Sequence, residues 1–248
     1  MITPIITKYE KHFKEIIENK DIIVVGPSIK LQNLKQGTFI DSKDVVIRMN
    51  QGFKITPEQY SDYGSKTDIL YHCLHQNSKY SLKEFENANI KQIALHVNNF
   101  HNRTCENNFN RFKKLTKNQI PYHIFDIKLY RKTLASLKTP TTGVRAIVDL
   151  LSYNINSLYI IGMDFHKSGY FKGYNNKSEK DVAHEHKILE KKGIHRFDVQ
   201  AGFVKYIIKK DKRVSCDDIM NNVIKNVQIP KPVSNFYENN LKQYQQIP

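Results

Sequence analysis

The chain has 248 residues, 40% hydrophobic, 25% charged and 11% aromatic, enough for one sizeable core or one domain with a lid and too little for two full domains. Three scattered cysteines, Cys73, Cys105 and Cys216, exclude a disulfide scaffold and the paired spacing of a structural zinc site, so a reducing, cytoplasmic compartment is expected. Lys and Arg number 39 against 24 Asp and Glu, formally +15, which favours an anionic partner without choosing between nucleic acid, a nucleotide and an anionic membrane surface.

In chain order, Ile5, Ile6, Tyr9, Phe13, Ile16 and Ile17 recur at helical spacing, predicting an amphipathic helix. Glu10, Glu15 and Glu18 lie among its lysines, unlike a signal peptide, and nowhere does an apolar run approach the ~18–20 residues that span a bilayer. Asp21–Gly26 is a β-branched burst ended by Gly26-Pro27-Ser28, the pattern of a buried first strand in a parallel sheet. Asp44–Asn50, Asp68–His72, Gln92–Val97 and Tyr122–Asp126 read as further strands, with helical patterns at Ser81–Asn89 and Asn108–Leu115. Thr142-Gly143 opens an apolar helix through Leu151, and a strand follows at Ser157–Gly162. Residues 166–192 are polar and are read as a lid, its first half a mobile loop. Phe203, Val204, Ile207 and Ile208 mark a late helix, and the tail from Pro230 reads as extended. Strands alternating with helices argue for an α/β fold: a Rossmann-like open, mostly parallel sheet flanked by helices, in one domain over 1–248.

In such sheets ligands bind beyond the carboxyl ends of the strands. Four groups fall there: Gly26-Pro27-Ser28, Arg48-Met49-Asn50, Thr139-Pro140-Thr141-Thr142-Gly143, and Gly162-Met163-Asp164-Phe165. Neither a dinucleotide Gly-x-Gly-x-x-Gly nor a Gly-Lys-Ser/Thr phosphate loop occurs, which argues against NAD enzymes and P-loop nucleotidases. Hydroxyls and a glycine ahead of the Thr142 helix suit a phosphate or carboxylate at its positive end; an ordinary N-cap by Thr141 or Thr142 reads equally well. Among the ten histidines, His72 with His75 and His184 with His186 lack a third ligand at a recognisable spacing, so no catalytic metal is expected. His195 is either structural or a general base suited to neutral pH.

Taken in order, these segments resemble the sialyltransferases. Val24–Ser28, Ile40-Asp41, Asp44–Asn50 and Asp62–Thr67 are similar to the long sialylmotif of the animal-type family. Pro140–Gly143 with the helix after it and Ser157–Gly162 resembles the short sialylmotif, and Gly193-Ile194-His195 with Gln200 resembles the very short motif. Gly162–Phe165 followed by Tyr170 and Tyr174 also resembles the bacterial lipooligosaccharide sialyltransferases, where two tyrosines of this loop contact the donor phosphate.

The resemblance implies a GT-A-variant fold and a metal-independent, inverting transfer from a CMP-activated acidic sugar to a glycan or glycolipid hydroxyl, with no separate cofactor. Asn50 would contact the cytidine nucleotide, with Gly26 and Ser28 forming its turn. Thr141, Thr142 and Gly143 would hold the donor's phosphate or carboxylate, with Tyr170, Tyr174 and His184 as further donor contacts. His195 would deprotonate the acceptor. The excess positive charge suits an acidic donor and peripheral contact with an anionic membrane at its inner face; no nucleic-acid partner is expected. Pro27 stands where the long motif usually has Asn, Gln200 where the very short motif has Glu, and the family's cysteine pair is absent. These departures leave the donor open between sialic acid and another CMP-linked ulosonic acid such as Kdo. They also leave open a non-catalytic binding protein on the same scaffold, and the charge leaves open a nucleic-acid binder.

Overall fold

The computed structural model describes residues 3–74, 80–95, 103–175, 177–193 and 195–245. Among these residues seven strands form one sheet: β1 (Asp21–Val25), β2 (Val45–Met49), β3 (Ile69–His72), β4 (Gln92–Leu95), β5 (Tyr122–Ile124), β6 (Ser157–Ile161) and β7 (Val214–Cys216). Their order is β5-β4-β3-β2-β1-β6-β7, and every pairing is parallel. The sheet is thus wholly parallel where the sequence led us to expect a mostly parallel one.

A parallel sheet covered on both faces needs apolar side chains at odd and even positions alike, which is why its strands read as unbroken β-branched runs. In β1, Ile22 and Val24 pack into the larger core and Ile23 and Val25 into a second cluster on the opposite face. The larger core receives α1 (Thr3–Ile17) through Phe13 and Ile17. The other face is covered by α2 (Gly37–Asp41) and α3 (Tyr60–Tyr63) over β1 and β2. Farther along, α4 (Leu82–Asn87) and α5 (Arg103–Leu115) cover β3 and β4.

The second half supplies α6 (Ile127–Leu137), α7 (Thr142–Leu151), α8 (Glu179–Lys191), α9 (Phe197–Lys210), α10 (Asp218–Ile224) and α11 (Lys231–Asn240). All ten residues of α7 except Thr142 are buried, so it runs through the core against β1 and β3. The tail from Pro230 is not extended. Pro230 occupies the N-cap of α11 and Pro232 its first turn, where a missing N–H costs nothing. Val233, Phe236, Tyr237 and Leu241 then recur at helical spacing and bury against α6 and α9. The second half of 166–192 is likewise helical, as α8, with Val182, His186 and Leu189 on its less exposed side. His75 and the His96-Val97 end of the expected fourth strand lie outside the described residues. Among the described residues no helix is long and apolar enough to cross a membrane.

Strand sequence runs outward from β1 to β5 and then returns to β6 on the other side of β1. The sheet's topological switch point therefore falls between β1 and β6, where parallel sheets open a crevice at the carboxyl edge.

Candidate active site

At that edge lies a cavity of about 370 Å³. Pro27 follows β1, Met49 and Asn50 end β2, Cys73 follows β3, and Met163, Asp164, Phe165 and His166 follow β6. Pro140, Thr141, Thr142, Gly143 and Arg145 come from the start of α7, Tyr170 and Tyr174 from the loop ahead of α8, and His195 from the turn before α9. Of the expected site residues, Asn50, Thr141, Thr142, Gly143, Tyr170, Tyr174 and His195 thus meet in one place.

Gly26, Ser28 and His184 do not line it. Gly26, just after β1, lies hard against Gly162, just after β6: a Cβ there would lie 2.2 Å from the carbonyl oxygen of Gly162, so no side chain fits. Ser28 is buried, its hydroxyl donating to Asp164 Oδ2 at 2.9 Å and its oxygen accepting from the Lys30 amide. It fixes the loop after β6 and does not face the cavity. His184 sits on the solvent side of α8; two residues on, His186 stacks on Phe197 with ring centroids 4.4 Å apart. Arg48 is also structural: its buried guanidinium donates to the carbonyls of Tyr63, Gly64 and Lys66 and to Thr67, and burial holds its pKa down to about 9.

Asn50 has a left-handed backbone (φ +51°), a conformation Asn tolerates better than most residues. Its side-chain oxygen accepts from the Cys73 amide at 3.0 Å, which ties the ends of β2 and β3 together. Across the cavity, Thr141 is the N-cap of α7 yet its hydroxyl makes no capping bond. The helix therefore presents uncapped amides and its positive end to the cavity, the condition for holding an anion. The Thr141 amide is itself bound at 2.9 Å by the side-chain oxygen of Gln200, fully buried on α9. A carboxamide supplies this acceptor as a carboxylate would, so Gln at this position keeps the loop anchored.

His195 has φ +56°, and its Nδ1 hydrogen-bonds the carbonyl of Thr139. A carbonyl only accepts, so Nδ1 carries the proton and Nε2 keeps a lone pair. Burial lowers the His195 pKa; the Thr139 bond opposes that shift and the nearby Arg145 charge adds to it. The ring is therefore a neutral base near pH 7. His166, which sequence reasoning missed, bonds the Tyr170 hydroxyl, and burial drives its pKa down to about 4. Burial also raises the pKa of Tyr170, and that of Tyr174 to about 12, so both phenols stay protonated at neutral pH. No group of three or more His, Cys, Asp or Glu side chains placed to hold a metal occurs among the described residues.

The family model of glycosyltransferase family 29 (sialyltransferase) matches residues 9–119. Over that stretch, a little under half of its length, the chain is similar to the sialyltransferases. The matched stretch carries Gly26, Ser28 and Asn50 but ends before Thr141 and His195. No curated protein matches this chain.

Solved structures resemble its fold. A mammalian sialyltransferase in complex with Gal-β-1,3-GalNAc-ortho-nitrophenol aligns at 16% identity with a TM-score of 0.52, over 86% of this chain and 79% of that one. The monofunctional α-2,3-sialyltransferase Cst-I of Campylobacter jejuni aligns at 16% identity with a TM-score of 0.53, over 93% and 96%. At such identities the likeness establishes the α/β architecture.

Proposed function

We propose that this chain is a sialyltransferase that moves sialic acid, or a related ulosonic acid, from its CMP-activated form to a glycan hydroxyl with inversion and without a metal ion. The observation that carries this reading is one cavity holding both a neutral imidazole, His195, and the uncapped N-terminus of α7. His195 Nε2 takes the acceptor proton as the hydroxyl oxygen bonds to the anomeric carbon. The bond from that carbon to the CMP phosphate oxygen breaks on the opposite face. The charge growing on the departing phosphate is met by the amides of Thr142 and Gly143 and the hydroxyls of Tyr170 and Tyr174, donors already in place before the reaction begins. Asn50, at the end of β2, would take the nucleotide. Gly26 and Ser28 support its turn from behind, and His184 has no part in it.

The whole chain acts as one transferase domain in this reading. Residues 166–192, which bring Tyr170 and Tyr174 to the cavity and continue into α8, serve as its lid. The galactoside in the mammalian complex makes a galactose-terminated glycan the first acceptor to try. The basic surface suits an acceptor carried on an anionic glycolipid membrane.

The test is a transfer assay read by mass spectrometry, offering CMP-sialic acid, CMP-Kdo and a UDP-sugar to a small glycan panel. CMP release with a gain of one sugar acid on the acceptor is expected from one CMP donor and not from the UDP-sugar. Isothermal titration showing that CMP binds no better than UMP or AMP would overturn the reading.

A further inference from the structure

Arg145 is the one cationic side chain among the described residues lining the cavity that carries a permanent charge, and it is only 6% exposed. Its Nε donates to the Pro140 carbonyl at 2.7 Å, and its guanidinium lies 5.3 Å from the Tyr130 ring centre. Those two contacts hold the side chain in place. Neither terminal nitrogen, Nη1 or Nη2, meets an acceptor among the described residues, and no carboxylate pairs with the charge. Burying a guanidinium without an anion is costly, so such an arrangement persists where a ligand supplies one.

Resting on the reading above, we infer that Arg145 receives the carboxylate of the donor sugar and so selects ulosonic acids over neutral CMP-sugars. Two points favour the carboxylate over the phosphate. The free edge of a fixed guanidinium presents parallel N–H groups that match a planar carboxylate in two bonds. Arg145 is also anchored to the Pro140 carbonyl, next in the chain to the Thr139 carbonyl that anchors His195. The acceptor oxygen, with the base behind it, approaches the anomeric carbon from the face opposite the departing phosphate, whereas the carboxylate is bonded to that same carbon and projects sideways from it. A cation anchored beside the base is placed for the group that stays.

The experiment is isothermal titration of wild type, Arg145→Gln and Arg145→Lys with CMP and, separately, with CMP-3-fluorosialic acid, which resists transfer. CMP lacks the carboxylate and reports whether each variant has a folded nucleotide site. In Arg145→Gln, CMP affinity is expected to stay within about 2-fold of wild type while the sugar nucleotide weakens about 10- to 100-fold, the range for a lost charge-assisted hydrogen bond. Arg145→Lys should fall between, keeping the charge and losing the fork. Equal weakening of both ligands would mean a structural or phosphate-binding Arg145 and would overturn the assignment alone. A wild-type protein that bound neither would overturn the donor-site reading and this assignment with it.

Discussion

The turn that presents His195 depends on three left-handed residues: Lys138 and Thr139 after α6, and His195 itself. Together they aim the Thr139 carbonyl at Nδ1, which fixes the tautomer that leaves Nε2 free. In the proposed mechanism the catalytic form is neutral; since burial, with the Arg145 charge, lowers its pKa, the acid limb of kcat/KM should have its midpoint below the ordinary histidine value of 6.5. His166, already held neutral by burial and lying among the same rings about Phe197, adds no charge until the pH is far lower. His195→Ala should lower kcat roughly 10²- to 10⁴-fold, the usual contribution of a positioned base, with CMP affinity unchanged. Steady-state rates from pH 4.5 to 8, set beside CMP titrations of both proteins, check this. A His195→Ala variant with wild-type turnover would remove His195 from the chemistry.

At the scale of elements, α1, β5 and α7 are joined by one buried ionic cluster. His123 on β5 bonds Glu10 of α1 at 2.7 Å and Asp149 of α7 at 2.9 Å, with the Phe13 ring stacked on it at 3.9 Å. Tyr71 donates to Asp149 and Tyr153 to Glu10. Burial disfavours the imidazolium, but the two carboxylates outweigh it and push the pKa up to about 9. A base whose folded pKa is raised stabilises the fold fully below its unfolded value of 6.5 and loses that contribution as pH climbs through about 9. The difference between the two values corresponds to about 3 kcal/mol. Urea unfolding should therefore show wild-type stability declining between pH 6.5 and 9, and His123→Gln should flatten that decline. Parallel pH dependences in the two proteins would show that His123 is not the titrating group. No sequence pattern hints at this cluster, since Glu10, His123 and Asp149 are far apart along the chain. Buried strands, in contrast, announce themselves. The β-branched bursts of β1 and β2 need apolar residues on both faces, whereas β7, three residues on the sheet edge with only Val214 buried, carries no such pattern. Thr141–Gly143 and Asn50 were legible because strand ends and helix starts locate a site in this architecture. Arg145 was not, because an arginine within an apolar helix reads as surface until the fold shows it 6% exposed. His184 and His186 differ only in which side of α8 they occupy, a question settled by packing and not by residue type.

Across the whole molecule, the cavity depends on the C-terminal helix without touching it. α6 ends at the turn carrying Thr139, α9 carries Gln200 and begins just after His195, and α11 packs against both. Val233 and Leu241 are completely buried, and Phe236 and Tyr237 nearly so. Burial of each is worth roughly 1.5–3 kcal/mol, so the four together rival the ~5–15 kcal/mol by which an entire domain is stable. A chain ending at residue 229 should thus fail to fold cooperatively, because α6 and α9 would lose the surface that holds them together. A milder variant separates bracing of the site from loss of the fold. Phe236→Ala should cost about 3–5 kcal/mol, as truncation of a buried aromatic does. The folded fraction should keep its CMP affinity, since the Asn50 side of the cavity rests on β2 and β3. Turnover should fall further than CMP affinity, because the Thr139 and Gln200 anchors shift with α6 and α9. Thermal unfolding, CMP titration and kcat measured on Phe236→Ala decide it: wild-type kcat alongside a lowered Tm would mean that α11 supports the core alone and leaves the site untouched.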